Sequence, residues 1–349
     1  MQVATSQSKV VRIGVLGAAR ITPSALIEPS RESSEVSVCA IAARDPEKAR
    51  RFASRHGVPA VHESYEALIA DPGIDAIYNP LPNSLHGYWT VAALEAGKHV
   101  LCEKPFTANA EEATAVAAVA HRTGLVTMEA FHYRYHALTR RLQEIIASGE
   151  LGYVSHMEAW FYIPLPVKNI RWDLQLAGGA LMDTGCYTIH LLRTLAGAEP
   201  VVRSAVAKVR SAGVDRLFRA NLEFPDGRTG AITASLLSWP LLSMGARVVG
   251  SNATLQVSNP YIPQYRHRLV IRSANARRVE RVARRPSSYA AQLQAFAGAI
   301  LRGEAYPTGV EDAVANMRVI DACYAAAGLP LREPRKYPPG YSRGSPITV

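Results

Sequence analysis

The chain has 349 residues, 48% hydrophobic and 19% charged, which is ordinary soluble composition, long enough for two domains and unlike a single small module. Its net charge of +10 invites a nucleic-acid reading. The densest basic stretch, Arg266 to Arg285, alternates with Leu269, Val270, Ile271, Val279 and Val282 and carries no interleaved aromatic rings, so a solvated sheet face is expected there and no nucleic-acid partner.

The N-terminus shows no basic patch followed by an apolar run and cleavage site, and no stretch is long enough to span a bilayer. A cytoplasmic protein without a membrane partner is therefore expected. From residue 10 to 128, strand-length apolar runs at 10–17, 36–43, 74–82, 99–105 and 125–130 alternate with helical stretches at 46–57, 64–73, 87–97 and 109–124. That alternation predicts βαβ units and a parallel sheet covered on both faces. Asp45-Pro46 reads as a cap with proline at the first helical position, and Gly97 and Gly124 read as helix stops.

After Glu129 the texture changes. A helix at 137–152, a strand at 154–164 and a long helix at 178–197 precede a run of strands with turn chemistry at 204–213, 217–238, 246–258, 268–275 and 278–285. Two amphipathic helices at 289–303 and 311–328 close the pattern. The expected fold is α/β over residues 1–128, with an α+β domain built on an open, mainly antiparallel sheet over residues 129–349. Cys39, Cys102, Cys186 and Cys323 are scattered and form no C-x-x-C pair, so they read as core residues in a reducing compartment, with neither a metal site nor a disulfide frame.

The first strand runs into "GVLGAARIT". Laid on the fingerprint G-x-G-x-x-G, Gly17 takes the first glycine, while Ala19 and Thr22 stand where the other two belong. Gly17, Ala19, Arg20 and Ile21 therefore form either a pyrophosphate loop at a helix N-terminus or an ordinary strand-to-helix turn. The second strand ends in Ala43 and Arg44 where an acid would hold the ribose of NAD. A guanidinium there suits the 2′-phosphate of NADP, so NADP is favoured with NAD still possible, unless Arg44 is a plain surface residue.

With "GVLGAARI", "YNPLPNSLH", "AGKHVLCEKP", "MEAFHYRYH" and "GGALMDTGCYTIHLLR" in this order, the chain resembles the glucose-fructose oxidoreductase, inositol dehydrogenase and MocA (Gfo/Idh/MocA) family. The likeness is greatest to the branch of dihydrodiol dehydrogenases and NADP-dependent xylose dehydrogenases. It implies a Rossmann domain, a second domain that associates through its sheet into a homodimer or homotetramer, and hydride transfer to or from a sugar, sugar derivative or vicinal diol. It also implies that Glu103-Lys104-Pro105 is the active-site tripeptide, faced by Asp183 and Tyr187, and that the loop with Asn79, Leu81 and His86 wraps the cofactor. A catalytically idle, ligand-sensing NADP-binding protein of the same fold is the alternative.

The residues support the enzymatic reading independently. Lys104 follows an apolar strand at its carboxyl end, where ligands of open parallel sheets sit. Asp183, Tyr187 and His190 are spaced i, i+4, i+7 and share one helical face, and Gly178-Gly179 before them allow close backbone approach. Alcohol oxidation needs a base, and Tyr187 is the candidate. A lysine cation ~4 Å away at an effective dielectric of ~20 contributes on the order of 4 kcal/mol, or roughly three pKa units, so Lys104 is expected to lower the pKa of Tyr187. Asp183 would orient the substrate or the tyrosine. His190 is a substrate contact, the proton carrier in place of Tyr187, or an interface histidine, Arg171 and Trp172 are either a carbohydrate site or an interface anchor, and Tyr133 is a further substrate candidate.

Overall fold

A computed structural model describes residues 10–210 and 213–335. Ser211 and Ala212, at the end of the strand expected over 204–213, and the outer ends of the expected 1–128 and 129–349 domains lie outside the described residues.

Six parallel strands form the first sheet: β1 (Val11–Leu16), β2 (Val36–Ala42), β3 (Ala60–His62), β4 (Ala76–Asn79), β5 (His99–Cys102) and β6 (Thr127–Glu129). Their order is β3-β2-β1-β4-β5-β6, so the chain reverses direction across the sheet between β1 and β4. In such a sheet the crevice at that reversal, beyond the carboxyl ends of the strands, is where ligands bind. Five of these strands match the apolar runs. β3 does not, because it is a three-residue edge strand, too short and too exposed to show a period.

Helices α1 (Glu28–Arg31), α2 (Pro46–His56), α3 (Tyr65–Ala70), α4 (His86–Glu95) and α5 (Ala110–Thr123) connect the strands. Asp45 is the cap of α2, its side chain accepting from the Lys48 amide at 3.1 Å.

The second sheet contains β7 (Val154–Tyr162), β8 (Val201–Val209), β9 (Asp215–Glu223), β10 (Thr229–Ser235), β11 (Ser243–Gly250), β12 (Ala253–Ser258), β13 (Arg268–Ser273) and β14 (Arg277–Glu280). Their order is β14-β13-β12-β11-β7-β10-β9-β8, antiparallel except where β7 meets β10. After α6 (Ala137–Ala147), α7 (Cys186–Ala196) lies on β7 and β10, and α9 (Val310–Ala326) lies on β8. Between them in sequence, α8 (Ser288–Arg302) returns to the first sheet, where Leu293, Phe296 and Ala297 join Val11, Ile13 and Leu26 in one core.

The basic stretch forms the β13–β14 hairpin, and several of its arginines are engaged locally, Arg278 by Glu150 at 2.8 Å and Arg272 by Gln256 at 3.1 Å. Cys102, Cys186 and Cys323 are buried and all four cysteines are free thiols. Among the described residues no group of three or more histidine, cysteine or acidic side chains is placed to hold a metal ion, and no helix is long and apolar enough to cross a membrane.

One buried ion pair shapes the approach to α7. Asp215 and Arg332 meet at 2.6 Å with both side chains fully buried. Asp215 also accepts from the Leu181 amide at 2.7 Å and the Tyr324 hydroxyl at 3.0 Å, while Arg332 donates to the Gly178 carbonyl at 2.9 Å. Every strong hydrogen-bonding group of the pair is thus partnered, as a buried pair requires. The segment 178–181 is pinned so tightly that a Cβ on Gly179 would lie 2.1 Å from Asp215 Oδ1, and its φ of +136° lies outside the range of other residues. A Cβ on Gly178 would lie 2.4 Å from the Arg171 carbonyl oxygen. The glycine pair is there for close approach, as the sequence implied.

Candidate active site

The crevice is built first from β5. Beyond Cys102, the Glu103 amide donates to the Asn79 carbonyl at 3.0 Å, and the buried Tyr78 hydroxyl donates to Glu103 Oε1 at 2.7 Å. Burial raises the Glu103 pKa above the ordinary value, partly offset by Lys104 and that hydrogen bond. The next residue, Lys104, reaches across to the second half of the chain, where Nζ donates to the Asp183 carbonyl at 3.0 Å and to its Oδ1 at 3.2 Å.

Asp183 sits in a π-helical turn, Leu181–Gly185, that leads into α7. Such a turn holds an extra residue and commonly marks a functional site. Arg171, from the loop over the crevice, approaches the same Oδ1 through Nε at 2.7 Å. Burial alone would raise the Asp183 pKa, but Lys104 and then Arg171 more than offset it and hold the group at about 2. Burial likewise opposes the charge on Lys104, and Asp183 overcomes it, so the Lys104 pKa is raised. A carboxylate between two cations is the fixed centre of the site.

Tyr187, the second residue of α7 and four after Asp183, faces the same space. Its relation to Lys104 differs from the expected one: Nζ lies 4.8 Å from the ring centroid, over the aromatic face, and its hydrogen bonds go to Asp183. Burial pushes the Tyr187 pKa well above its ordinary value, and Tyr289, Glu103, Cys186 and Asp183 act in the same direction. The expected lowering by Lys104 is therefore corrected. It treated the ammonium as an unshared charge and the phenol as solvated, whereas Asp183 engages that charge and burial of the phenol dominates.

These groups line a cleft of about 550 Å³, within the usual range for a small-molecule site. Ala19, Arg20, Ile21, Leu81 and His86 border it from the first sheet, and Glu103, Lys104, Arg171, Asp183 and Tyr187 complete its inner wall. Gly17, with φ of +82°, makes the tight turn under Leu81. Ala19 and Thr22 have no positive φ, so the backbone of this loop is unstrained without glycine at those positions. Arg44 is exposed just beyond β2, next to the buried Ala43, and makes no ion pair among the described residues. The open glycine turn, the flanking cations Arg20 and Lys48, and Arg44 at the second strand tip fit a dinucleotide with a 2′-phosphate.

Four expected site residues are placed elsewhere. Asn79 is fully buried and holds its own loop, donating to the His86 carbonyl and to Thr90. His190 is buried behind Tyr187, stacked on Phe131 with 4.0 Å between centroids, and joins Asp312 at 2.9 Å and the Tyr133 hydroxyl. Tyr133 is fully buried in that contact. An even i, i+4, i+7 face is not maintained because the π turn carries Asp183 round relative to the α-helical residues after it. Trp172 faces away from the cleft, donating to the Pro166 carbonyl at 2.9 Å beneath the Arg210 guanidinium. It braces the loop that presents Arg171.

His86 does reach the cleft wall, but both ring nitrogens face backbone carbonyls, of Pro105 at 2.7 Å and Leu81 at 2.6 Å. Burial brings its pKa down to about 4, the two carbonyls act in the opposite direction, and the ring's contacts fix the loop.

The sequence reading missed His132, Tyr289, Lys48 and Lys168, all of which line the cleft. His132 stands in the quoted "EAFHYRYH", where only the short 3₁₀ turn His132–Tyr135 decides which ring faces the site. Tyr289 arrives from α8, and no local signal marks it.

Residues 11–131 match the oxidoreductase family with an NAD-binding Rossmann fold, and residues 139–256 match the GFO/IDH/MocA C-terminal domain. The chain belongs to the Gfo/Idh/MocA oxidoreductase family. It is 38% identical to D-xylose 1-dehydrogenase (NADP(+)) 2 of Haloferax volcanii, covering 90% of this chain and 96% of that one. It is 34% identical to the trans-1,2-dihydrobenzene-1,2-diol dehydrogenase of Mus musculus over 67% of this chain and 70% of that one. The fold is similar to that of KijD10, a 3-ketoreductase from Actinomadura kijaniata solved with NADP and TDP-benzene, at a TM-score of 0.85 and 30% identity over 91% of this chain and 98% of that one.

The Asp183 centre has a measurable signature. Its folded pKa lies below the unfolded value, so its stabilisation is present above about pH 4 and is lost as the pH falls toward about 2. Asp183→Asn is expected to lower stability at neutral pH by on the order of 2 kcal/mol, with the deficit narrowing below about pH 4. Urea unfolding of both proteins at a series of pH values checks this.

Proposed function

We propose that this oxidoreductase uses NADP(H) to interconvert a carbinol and a carbonyl carbon in a sugar, sugar derivative or vicinal diol, with Lys104 and Tyr187 serving the reacting oxygen. The observation that carries the reading is the convergence of Lys104 from the end of β5 and Tyr187 from α7 on the one cleft that the Gly17 loop also borders. The xylose and dihydrodiol dehydrogenases among its relatives, and the ketoreductase solved with NADP, support the same chemistry.

The backbone from Gly17 to Ile21 with Arg20 and Lys48 would hold the pyrophosphate, and Arg44 the 2′-phosphate. When bound, the nicotinamide supplies or accepts the hydride. Lys104 donates a hydrogen bond to the substrate oxygen and stabilises its alkoxide character. Asp183 keeps that ammonium charged and aimed. Tyr187, a neutral phenol in its buried setting, gives its proton to a carbonyl oxygen during reduction. During oxidation it must first lose that proton and then takes the one from the carbinol. Arg171 and Lys168, on the loop above, meet the polar groups of the substrate.

Self-association is assigned to the outer face of the second sheet. Trp160 of β7, Ala231 and Thr233 of β10 and Val249 of β11 share this face, on the side opposite Phe161, Ile232 and Val248, which are buried against the helices. A partly apolar sheet face of this breadth suits a second copy of the chain.

Absorbance change of NADP(H) across aldoses, inositols, cyclic diols and keto-sugars should reveal turnover, and Tyr187→Phe should reduce kcat by about 10²- to 10⁴-fold. No turnover with any of them, alongside tight NADP binding, would support the ligand-sensing alternative. Arg44→Ala should raise the KM for NADP by about 10- to 100-fold while leaving that for NAD nearly unchanged, and equal effects on both would remove Arg44 from phosphate recognition. Sedimentation should give a dimer or tetramer that Thr233→Glu dissociates without unfolding the chain, whereas a monomeric native protein refutes the assignment.

A further inference from the structure

Behind Tyr187 runs a line of hydrogen bonds that the reaction scheme above does not use. The Tyr187 hydroxyl is 3.4 Å from His132 Nε2, at the long end for a hydrogen bond. His132 Nδ1 is 2.8 Å from Ser288 Oγ, and Ser288 Oγ donates to Gln264 Oε1 at 2.6 Å. The serine has one proton to give, and its acceptor is an amide oxygen, which has none. Ser288 must therefore accept from His132, which puts the ring proton on Nδ1 and leaves Nε2 bare. A bare nitrogen facing a phenol can only accept. Every hydrogen in the chain thus points out of the cleft, from Tyr187 to His132 to Ser288 to Gln264.

The parts are fixed in place. His132 and Ser288 are both buried, and the His132 ring packs on Tyr289 with 3.9 Å between centroids, so it has little room to turn. Gln264 is half-buried beside the exposed Tyr265 and Arg266, so the far end of the line lies next to solvent. The groups facing the Tyr187–His132 pair are Lys104 and Glu103 from the end of β5, Asp183 and Cys186 from the π turn and α7, Tyr289 from α8 and His136 from the turn after His132. The rings of Tyr133 and Tyr261 also pack on Tyr187. Burial, with Lys104 and His136 in the same direction, brings the His132 pKa down to about 3, which keeps the resting ring neutral and able to accept.

We propose that His132 is the positioning residue of Tyr187, orienting its hydroxyl and receiving its proton, so that the tyrosine is made basic for alcohol oxidation by a route leaving the cleft from behind. The inference rests on Tyr187 being the acid–base group. The Tyr187 O–H bond breaks as an Nε2–H bond forms on His132. The Nδ1 proton moves to Ser288 Oγ as the Ser288 proton moves to Gln264 Oε1, and the half-buried Gln264 amide gives up an Nε2 proton to solvent. The step involves no oxidation or reduction and one proton leaves. The ring ends neutral in its other tautomer, and it resets when Nε2–H exchanges with water in the emptied cleft, which His132 lines, while Nδ1 and the Gln264 amide regain their hydrogens through Ser288.

Nitrogen-15 NMR of histidine-labelled protein without substrate, with His132 assigned from its missing signal in His132→Gln, reads the tautomer directly. From about pH 5 to 9 the ring should be neutral with its hydrogen on Nδ1, and Ser288→Ala should shift that hydrogen toward Nε2. A native ring protonated on Nε2, or a tautomer indifferent to Ser288→Ala, overturns the proposal.

Kinetics supply a second readout. With the best substrate of the panel, His132→Gln should lose about 10- to 100-fold in oxidation kcat near neutral pH, recover as the pH rises, and leave substrate KM and NADP affinity unchanged within about twofold. A loss equal at every pH means that His132 only packs, and the proposal fails. Should Tyr187→Phe be inactive while His132→Gln keeps the native pH profile, the relay alone is wrong. Full activity in Tyr187→Phe would instead remove the acid–base assignment beneath it.

Discussion

The contact between Lys104 and Asp183 joins the two halves of the molecule at the place where chemistry is expected. One partner stands at the end of a parallel strand and the other in a turn leading to a helix of the second sheet. Neither charge is tolerable alone in a setting so buried, so each makes the other possible, and Arg171 supplies a second cation that holds the carboxylate at the bottom of its range. Lys104 is therefore held, charged and aimed by the same interaction.

That contact depends on how Asp183 is delivered. Gly178 and Gly179 let the backbone pass within bonding distance of the buried Asp215–Arg332 pair, and the π turn that follows sets Asp183 and Tyr187 on the same wall of the cleft. The stiffness of the site thus comes from buried charge far from solvent rather than from the loop that roofs it. With Lys104 bonded to Asp183 and the Tyr187 ring buried, the tyrosine rests as a phenol with its hydroxyl directed to His132.

Much of this was legible from residue order. Apolar runs separated by capped helices specified a parallel sheet, since period and punctuation are local properties. Lys104 after an aliphatic strand marked the crevice, and Gly178-Gly179 marked close approach. Harder to read were β3, too short to carry a pattern, and the rotation of α7, which a wider turn alters without any change in spacing. Asn79, Tyr133, His190 and Trp172 were drawn into the expected site because polar and aromatic residues near a motif look alike whether they serve a ligand or the loop beneath it.

By itself the sequence determined the alternation of elements, the strand end that carries Lys104 and the cationic tip at Arg44, because these follow from neighbours within a few residues. Only the tertiary structure decided which oxygen Lys104 would bond, which ring of "FHYRYH" would face the cleft, and that α8 would bring Tyr289 and Ser288 to His132. Those outcomes rest on burial and on charges brought together from distant parts of the chain, and the energy of a buried charge is set by everything that surrounds it.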